Sequence, residues 1–186
     1  MPGDPVSRRA GARPVRVGFF GKLPSRGDFV RRGLSRAVVG AWDGWVQSVM
    51  PAQRSDSFNG QWWAMCAWRF AFDPGICGPC PTFGVLLPSA DSVGRLFPLL
   101  IAAEAAGPCK LFLDAAEAAG VEAVRTVMEP EALATRLNQI SCLPGRLAAT
   151  SPPVARWWQQ GRPGGTQQVQ EPALPDAAMF MQMVAS

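Results

Sequence analysis

The sequence has 186 residues, a length that suits one domain with a sizeable core, and its 48% hydrophobic and 17% charged residues exclude an intrinsically disordered chain. It contains no histidine, which excludes Ser-His-Asp and Cys-His catalysis within this chain. The formal net charge of +4 is unevenly distributed: residues 1–36 hold nine basic and two acidic residues, a net of +7, whereas the rest holds nine basic and twelve acidic residues, a net of −3.

The first 14 residues are predicted to form a disordered basic leader. We favour a solubilising or start-site extension over nucleic-acid binding, because no aromatic-interleaved basic patch or recognition helix accompanies it. No secretory signal is visible, and the most apolar stretch, residues 82–103, is interrupted by charges and prolines, so we expect no membrane span. We therefore expect a cytoplasmic protein whose five cysteines are reduced thiols.

The next part of the chain alternates short strands and helices. Residues 15–20 are predicted to form a strand and residues 21–33 a loop, after which Ser35 caps a helix that runs to about Val49. This helix ends there because Pro51 disfavours helical geometry in the residue before it. A helix is then predicted over residues 57–67, and strands over residues 68–72, 83–87 and 96–103. The last two strands are predicted to pair as a hairpin with a long connection.

The second half of the chain is mainly helical. Helices are predicted over residues 111–128 and from Pro130, which suits a first helical turn. Two edge strands, residues 156–159 and 166–170, precede a last helix that starts at Pro175. Because the strands come first and no linker divides the chain, we predict one α+β domain over residues 15–186, with a mostly antiparallel central sheet flanked by helices.

The sharpest local motif is CGPC, Cys77 to Cys80, which matches the active site of thioredoxin-like proteins. In those proteins the first cysteine lies at a helix N-terminus, which lowers its pKa. Here Pro81 follows directly and a strand comes next, so we favour a simple turn. Thiol-disulfide oxidoreductase activity through Cys77 and Cys80 is the alternative function. A zinc site at this pair is not favoured, because the other three cysteines show no second paired spacing. No cofactor is predicted.

Two Gly- and Pro-punctuated loops carry charged side chains next to apolar, strand-like segments. They are GFFGKLPSRGDFV, residues 18–30, and PSADSVGRLFP, residues 88–98. Their charged residues include Lys22, Arg26, Asp28, Asp91 and Arg95. Charged loops on an apolar scaffold are common sites of function, so these are the candidate functional residues.

Four segments occur here in one order: GFFGKLPSRGDFV, WDGWV (residues 42–46), WRFAFDPGICG (residues 68–78) and GVLLPSADSVGRLFPL (residues 84–99). This succession resembles the TagF family of type VI secretion-associated proteins. The segments ARWWQQGRPGG and PALPDAAMF near the end also resemble that family, so the resemblance covers about residues 15–185.

The resemblance implies a cytoplasmic, non-enzymatic accessory factor that regulates type VI secretion post-translationally, with repression as the expected sign. The implied partner is the forkhead-associated scaffold protein Fha. The family offers no catalytic residues to carry over. A small-molecule sensor is a third option, and it would require an enclosed, polar-lined cavity between the sheet and the helices.

We hypothesise that residues 22–32 and 89–95 form one polar surface at an end of the sheet, which docks a partner and competes with its activating contact. Charge complementarity chiefly sets partner choice. The proposed specificity residues are Arg26, Asp28, Asp91 and Arg95, with Lys22 on the same surface. Trp42 or Trp45 would be an anchor if it is not buried. The rival interpretation makes Asp28 and Arg95 internal braces of the two loops.

Overall fold

The computed structural model describes residues 15–50, 55–140, 150–160 and 168–186, so the predicted leader lies outside the described residues. Within these ranges the chain forms seven strands and five helices. The strands are β1 (Arg16–Gly21), β2 (Val30–Arg32), β3 (Trp68–Phe72), β4 (Thr82–Leu87), β5 (Leu99–Glu104), β6 (Ala155–Trp158) and β7 (Gln168–Glu171). The helices are α1 (Arg36–Val49), α2 (Asp56–Ala64), α3 (Lys110–Arg125), α4 (Pro130–Asn138) and α5 (Ala177–Ala185).

The strands form one open sheet in the order β2-β1-β5-β4-β3-β6-β7, and each neighbouring pair is antiparallel. The predicted hairpin of β4 and β5 is confirmed, with Leu87 opposite Leu99 next to the connection. The predicted α+β class with an antiparallel central sheet is therefore confirmed.

Helices cover both faces of the sheet and create two separate cores. Residues of α1, α2 and α5 pack on one face, and residues of α3 and α4 pack on the other. Every residue of β3, β4 and β5 is consequently buried, including Arg69 in β3. Arg69 is tolerated because its guanidinium lies 2.8 Å from carboxylate oxygens of both Asp114 and Glu117 on α3.

Local sequence signals explain where the helices begin. The Ser35 hydroxyl accepts a hydrogen bond from the backbone N–H of Val38 (3.3 Å), which confirms Ser35 as the N-cap of α1. Pro130 occupies the first position of α4, as predicted. None of the helices in the described ranges is long and apolar enough to cross a membrane.

Three predicted elements need correction. The predicted loop 21–33 contains β2, whose three residues pair with the end of β1. Strand β6 lies between β3 and β7, so it is not an edge strand. Helix α5 begins at Ala177 and not at Pro175, because the Asp176 side chain caps it by accepting from the N–H of Met179 at 2.8 Å.

Two glycines allow β2 to turn closely into α1. A side chain at Gly18 in β1 would collide with the backbone oxygen of Arg32 and lie 2.7 Å from the backbone nitrogen of Leu34. Gly33 has a φ of +73°, a left-handed conformation that glycine adopts without strain. The chain after β2 therefore passes directly against β1.

Candidate partner-binding site

The two predicted loops meet at one end of the sheet. Loop A (residues 22–29) joins β1 to β2, and loop B (residues 88–98) joins β4 to β5. The backbone N–H of Ser92 donates to the carbonyl of Arg26 (2.9 Å), and the Arg95 guanidinium donates to the carbonyl of Gly27 (2.6 Å). The loops therefore form one surface, which we call the corner.

A buried ion pair fixes loop A to loop B below this surface. Lys22 Nζ lies 2.8 Å from Asp91 Oδ2, and the two side chains are 9% and 0% exposed. Asp91 Oδ2 also accepts from Arg95 Nε (2.7 Å), and Oδ1 accepts from the backbone N–H groups of Val93 and Arg95 (3.1 and 2.9 Å). Burial alone would raise the pKa of Asp91, but these hydrogen bonds hold it well below its ordinary value.

An aromatic side chain, Phe29, covers this ion pair yet faces solvent. Its ring stacks on Phe20 with centroids 5.8 Å apart and lies edge-to-face with Phe97 with centroids 4.7 Å apart. Lys22 Nζ lies 5.2 Å from the centroid of the Phe29 ring. Phe29 nevertheless remains 49% exposed. Val93 at the tip of loop B is 71% exposed, so the corner displays apolar as well as charged groups.

The connection between α3 and α4, residues 126–129, extends the corner on the other side of loop A. The Ser25 hydroxyl donates to the Met128 carbonyl (2.8 Å), and the Arg26 guanidinium pairs with Glu129 at 2.7 Å. Both side chains of this ion pair are about half exposed, at 51% and 54%. Exposed pairs of this kind contribute little to stability, so Arg26 can exchange Glu129 for another anion at small cost.

This connection contains a strained valine. Val127 has a φ of +54° and is 53% exposed. It follows the C-cap Thr126, and the N–H of Met128 donates back to the carbonyl of Ala123 (2.9 Å). Helix ends with this bonding pattern normally place glycine at the position of Val127, because a β-branched residue is disfavoured in the left-handed region.

The predicted surface residues divide into an exposed and a buried group. Arg26, Asp28 and Arg95 are exposed. Asp28 makes no hydrogen bond or ion pair with the described residues, so it is not a brace. Arg95 does brace loop B through Asp91, although its side chain is 61% exposed. Lys22 and Asp91 are buried, so the prediction that they face a partner needs correction: they hold the loops in place.

Trp42 does not meet the condition set for an anchor. It is 1% exposed in the core between α1 and the sheet, where it packs against Phe70 and Trp157. Trp45 is 7% exposed and its indole N–H donates to the carbonyl of Pro175 (2.6 Å). Both side chains are therefore structural, because α1 turns its apolar face towards the sheet.

The CGPC motif lies in the turn between β3 and β4, and no helix begins there. Cys77 is buried in the core, and burial raises the pKa of its thiol to about 12. A redox cysteine requires the opposite change, a pKa lowered by a helix N-terminus or a nearby cation. The geometry therefore does not favour the oxidoreductase alternative.

A cleft beside α3 does not resemble a sensor pocket. It measures about 700 Å³, opens to solvent beside α3, and has Arg69, Glu122 and Arg125 among its lining residues. Arg69 is already engaged by two carboxylates of α3. The described residues contain no cluster of three or more potential metal-binding side chains.

Sequence reasoning missed three exposed apolar residues of the corner: Phe29, Val93 and Val127. An aromatic or β-branched residue inside a Gly- and Asp-rich turn is the signal that could have indicated Phe29 and Val93. Val127 carries no such local signal, because its exposure follows from the packing of α3 against α4.

Comparison with known proteins agrees with this architecture. The family model of the TagF N-terminal domain, described as type VI secretion system-associated, matches residues 18–140. The crystal structure of PA0076 from Pseudomonas aeruginosa PAO1 superimposes with a TM-score of 0.76 at 28% sequence identity, covering 90% of this chain and 93% of that one. No curated protein matches the chain. Since the family model covers well over half of the sequence, this chain belongs to the type VI secretion-associated family defined by the TagF N-terminal domain.

Proposed function

We propose that this protein is a non-enzymatic regulator of type VI secretion, acting in the cytoplasm by binding the forkhead-associated scaffold protein Fha through the corner. Membership of the TagF family supplies the association with type VI secretion. The observation that carries the proposal is the construction of the corner: exposed Arg26, Asp28 and Phe29 stand on loops held by a buried ion pair.

This construction suits specific recognition. The exposed part of Phe29 supplies apolar contact area, and aromatic residues are enriched among residues that dominate binding energy. The charges of Arg26 and Asp28 select a partner of complementary pattern. The buried ion pair keeps loops A and B in one arrangement before binding, so less conformational entropy is lost when the partner docks.

Repression follows if the corner occupies a scaffold surface that another component needs for assembly. The proposed regulator then acts by competition, which requires neither turnover nor a cofactor. The absence of histidine from the sequence and the raised pKa of Cys77 are consistent with a role that does not depend on catalysis.

The test measures binding between the purified chain and purified Fha from the same bacterium by isothermal titration calorimetry. The variants are Arg26→Glu and Asp28→Lys, and the matched control is Arg136→Glu. Arg136 also pairs with an exposed carboxylate, Glu122, but lies near the other end of α4. Reversal of either corner charge should weaken binding about tenfold or more, with a Tm within about 4 °C of wild type.

If Asp28→Lys and Arg26→Glu bind Fha with the same affinity as wild type, the corner is not part of the interface. Failure of wild type to bind Fha at micromolar concentration would refute the choice of partner. In cells, deletion of the chain should increase type VI secretion into the medium, and the Asp28→Lys protein should fail to reverse that increase.

A further inference from the structure

A second charged surface lies at the edge of the sheet formed by β2. In the described parts of the chain, four basic residues make no ion pair: Arg16, Arg31, Arg36 and Arg125. The first three are exposed and belong to β1, β2 and the first turn of α1, which adjoin one another. Unpaired positive charge is therefore concentrated at this edge.

Arg31 and Arg36, together with Arg32, border a shallow groove of about 290 Å³, which we call the arginine groove. Its lining residues are Arg31, Arg32, Gly33, Leu34, Arg36 and Val39. Leu34 and Val39 are partly buried against the core, so the groove combines an apolar floor with a positively charged rim.

The charge at this edge has little internal compensation. Arg36 occupies the first turn of α1, where the helix dipole disfavours a cation and no acidic residue is present. Glu104 is directed to the backbone N–H of Ser35 (2.6 Å), and Glu131 pairs with Arg32 at 2.8 Å. The edge thus has two acidic residues and four arginines, Arg16, Arg31, Arg32 and Arg36, so it retains an excess of positive charge.

We propose that the arginine groove binds an extended acidic segment of a partner protein. Carboxylates of that segment pair with Arg31 and Arg36, and an intervening apolar side chain rests on Leu34 and Val39. Arginine suits this task because its planar guanidinium can hold a carboxylate through two hydrogen bonds. Arg32 already holds one carboxylate at the rim, that of Glu131, through a single hydrogen bond of 2.8 Å.

An acidic peptide fits this surface better than a nucleic acid does. The groove has no aromatic side chain on which a base could stack, and its floor is aliphatic. The inference goes beyond the proposed regulatory function, since it concerns other residues and does not depend on Fha being the partner.

The test uses a fluorescein-labelled peptide of alternating glutamate and leucine, with the full-length chain and fluorescence anisotropy at an ionic strength of about 0.1 M. Arg31→Glu and Arg36→Glu are compared with Arg125→Glu, which reverses the charge of an equally unpaired, exposed arginine at the C-terminal end of α3. Each groove variant should weaken binding about tenfold, and Arg125→Glu less than about twofold. The arginines before residue 15 also attract the acidic peptide, but they are present in every variant, so their contribution cancels when the variants are compared.

Arg36→Glu also separates binding from folding. An acidic residue in the first turn of α1 is favoured by the helix dipole, so the Tm of this variant should stay the same or rise while peptide binding falls. If Arg125→Glu loses as much affinity for the peptide as the groove variants do, the peptide is held by diffuse charge attraction and the proposal is overturned. Absence of peptide binding, or tighter binding of oligo-dT through Arg31 and Arg36, would overturn it as well.

Discussion

Removal of the Asp91 carboxylate is predicted to destabilise the protein strongly, although Asp91 lies in a loop. Its side chain is fully buried and receives hydrogen bonds from Lys22, Val93 and Arg95. Asp91→Ala leaves the Lys22 ammonium buried without a carboxylate partner, a situation that costs about 3–5 kcal/mol. For a chain of this size the expected fall in Tm is about 6–20 °C.

The same carboxylate makes stability depend on pH. The pKa of Asp91 is lower in the folded protein than its ordinary value of about 3.9 in the unfolded chain. Its stabilisation is therefore fully present above that ordinary value and is lost as the pH falls through it towards the folded-state pKa. Asp91→Asn should remove this component, so the variant loses less of its remaining stability between about pH 5 and pH 3 than wild type does.

Urea unfolding followed by circular dichroism measures both effects. The pKa of Asp73 is also lowered in the folded protein, so the informative quantity is the difference between wild type and Asp91→Asn at each pH. Arg26→Ala is the control, since it removes only exposed ion pairs, with Glu129 and Glu131, and should cost less than about 1 kcal/mol. A loss below about 1 kcal/mol in Asp91→Ala, or a pH difference of opposite sign, would refute the reasoning.

Three further outcomes follow from the structure. At pH 7 the buried Cys77 thiol should resist alkylation in the folded protein, while the exposed Cys66 should react. Peptide mapping by mass spectrometry measures both, and rapid labelling of Cys77 would contradict its pKa of about 12. Val127→Gly should raise the free energy of unfolding by about 1 kcal/mol, because relief of backbone strain exceeds the entropy cost of glycine, and a lower urea midpoint would count against that strain. Gly84→Ala should lower stability by about 1–3 kcal/mol, since the added methyl would collide with the backbone oxygen of Ile101; an unchanged midpoint would mean that β5 yields easily.

Elements with strong local signals could be predicted from the sequence. Helix α1 has a capping residue, Ser35, and a periodic apolar face that the structure buries against the sheet. Strand β2 could not be predicted, because two of its three residues are arginines and its conformation depends on pairing with β1. The position of β6 inside the sheet likewise depends on β3, which lies more than 80 residues earlier in the chain.

The sequence allowed the two loops of the candidate site to be predicted, but not which of their charged side chains are buried and which are exposed. Loop A follows β1 and loop B precedes β5, and because these two neighbouring strands are antiparallel, the end of β1 and the start of β5 lie at the same end of the sheet. Lysine is rarely buried, and only a carboxylate 69 residues away explains the burial of Lys22. No pattern within either loop indicates that Lys22 and Asp91 lie inside while Arg26 and Asp28 lie outside.

The buried ion pair does more than join two loops, and this explains why an apolar pair could not replace it. Apolar side chains of similar volume often fill the space of a buried ion pair without loss of stability. Here, however, Asp91 Oδ1 also accepts from the backbone N–H groups of Val93 and Arg95, which would lose their partner. The conformation of loop B therefore depends on the carboxylate itself. Arg95 is exposed and also braces loop B, whereas Arg26 and Asp28 are displayed without holding the loops, so the charges of Arg26 and Asp28 can be changed without unfolding the loops beneath them.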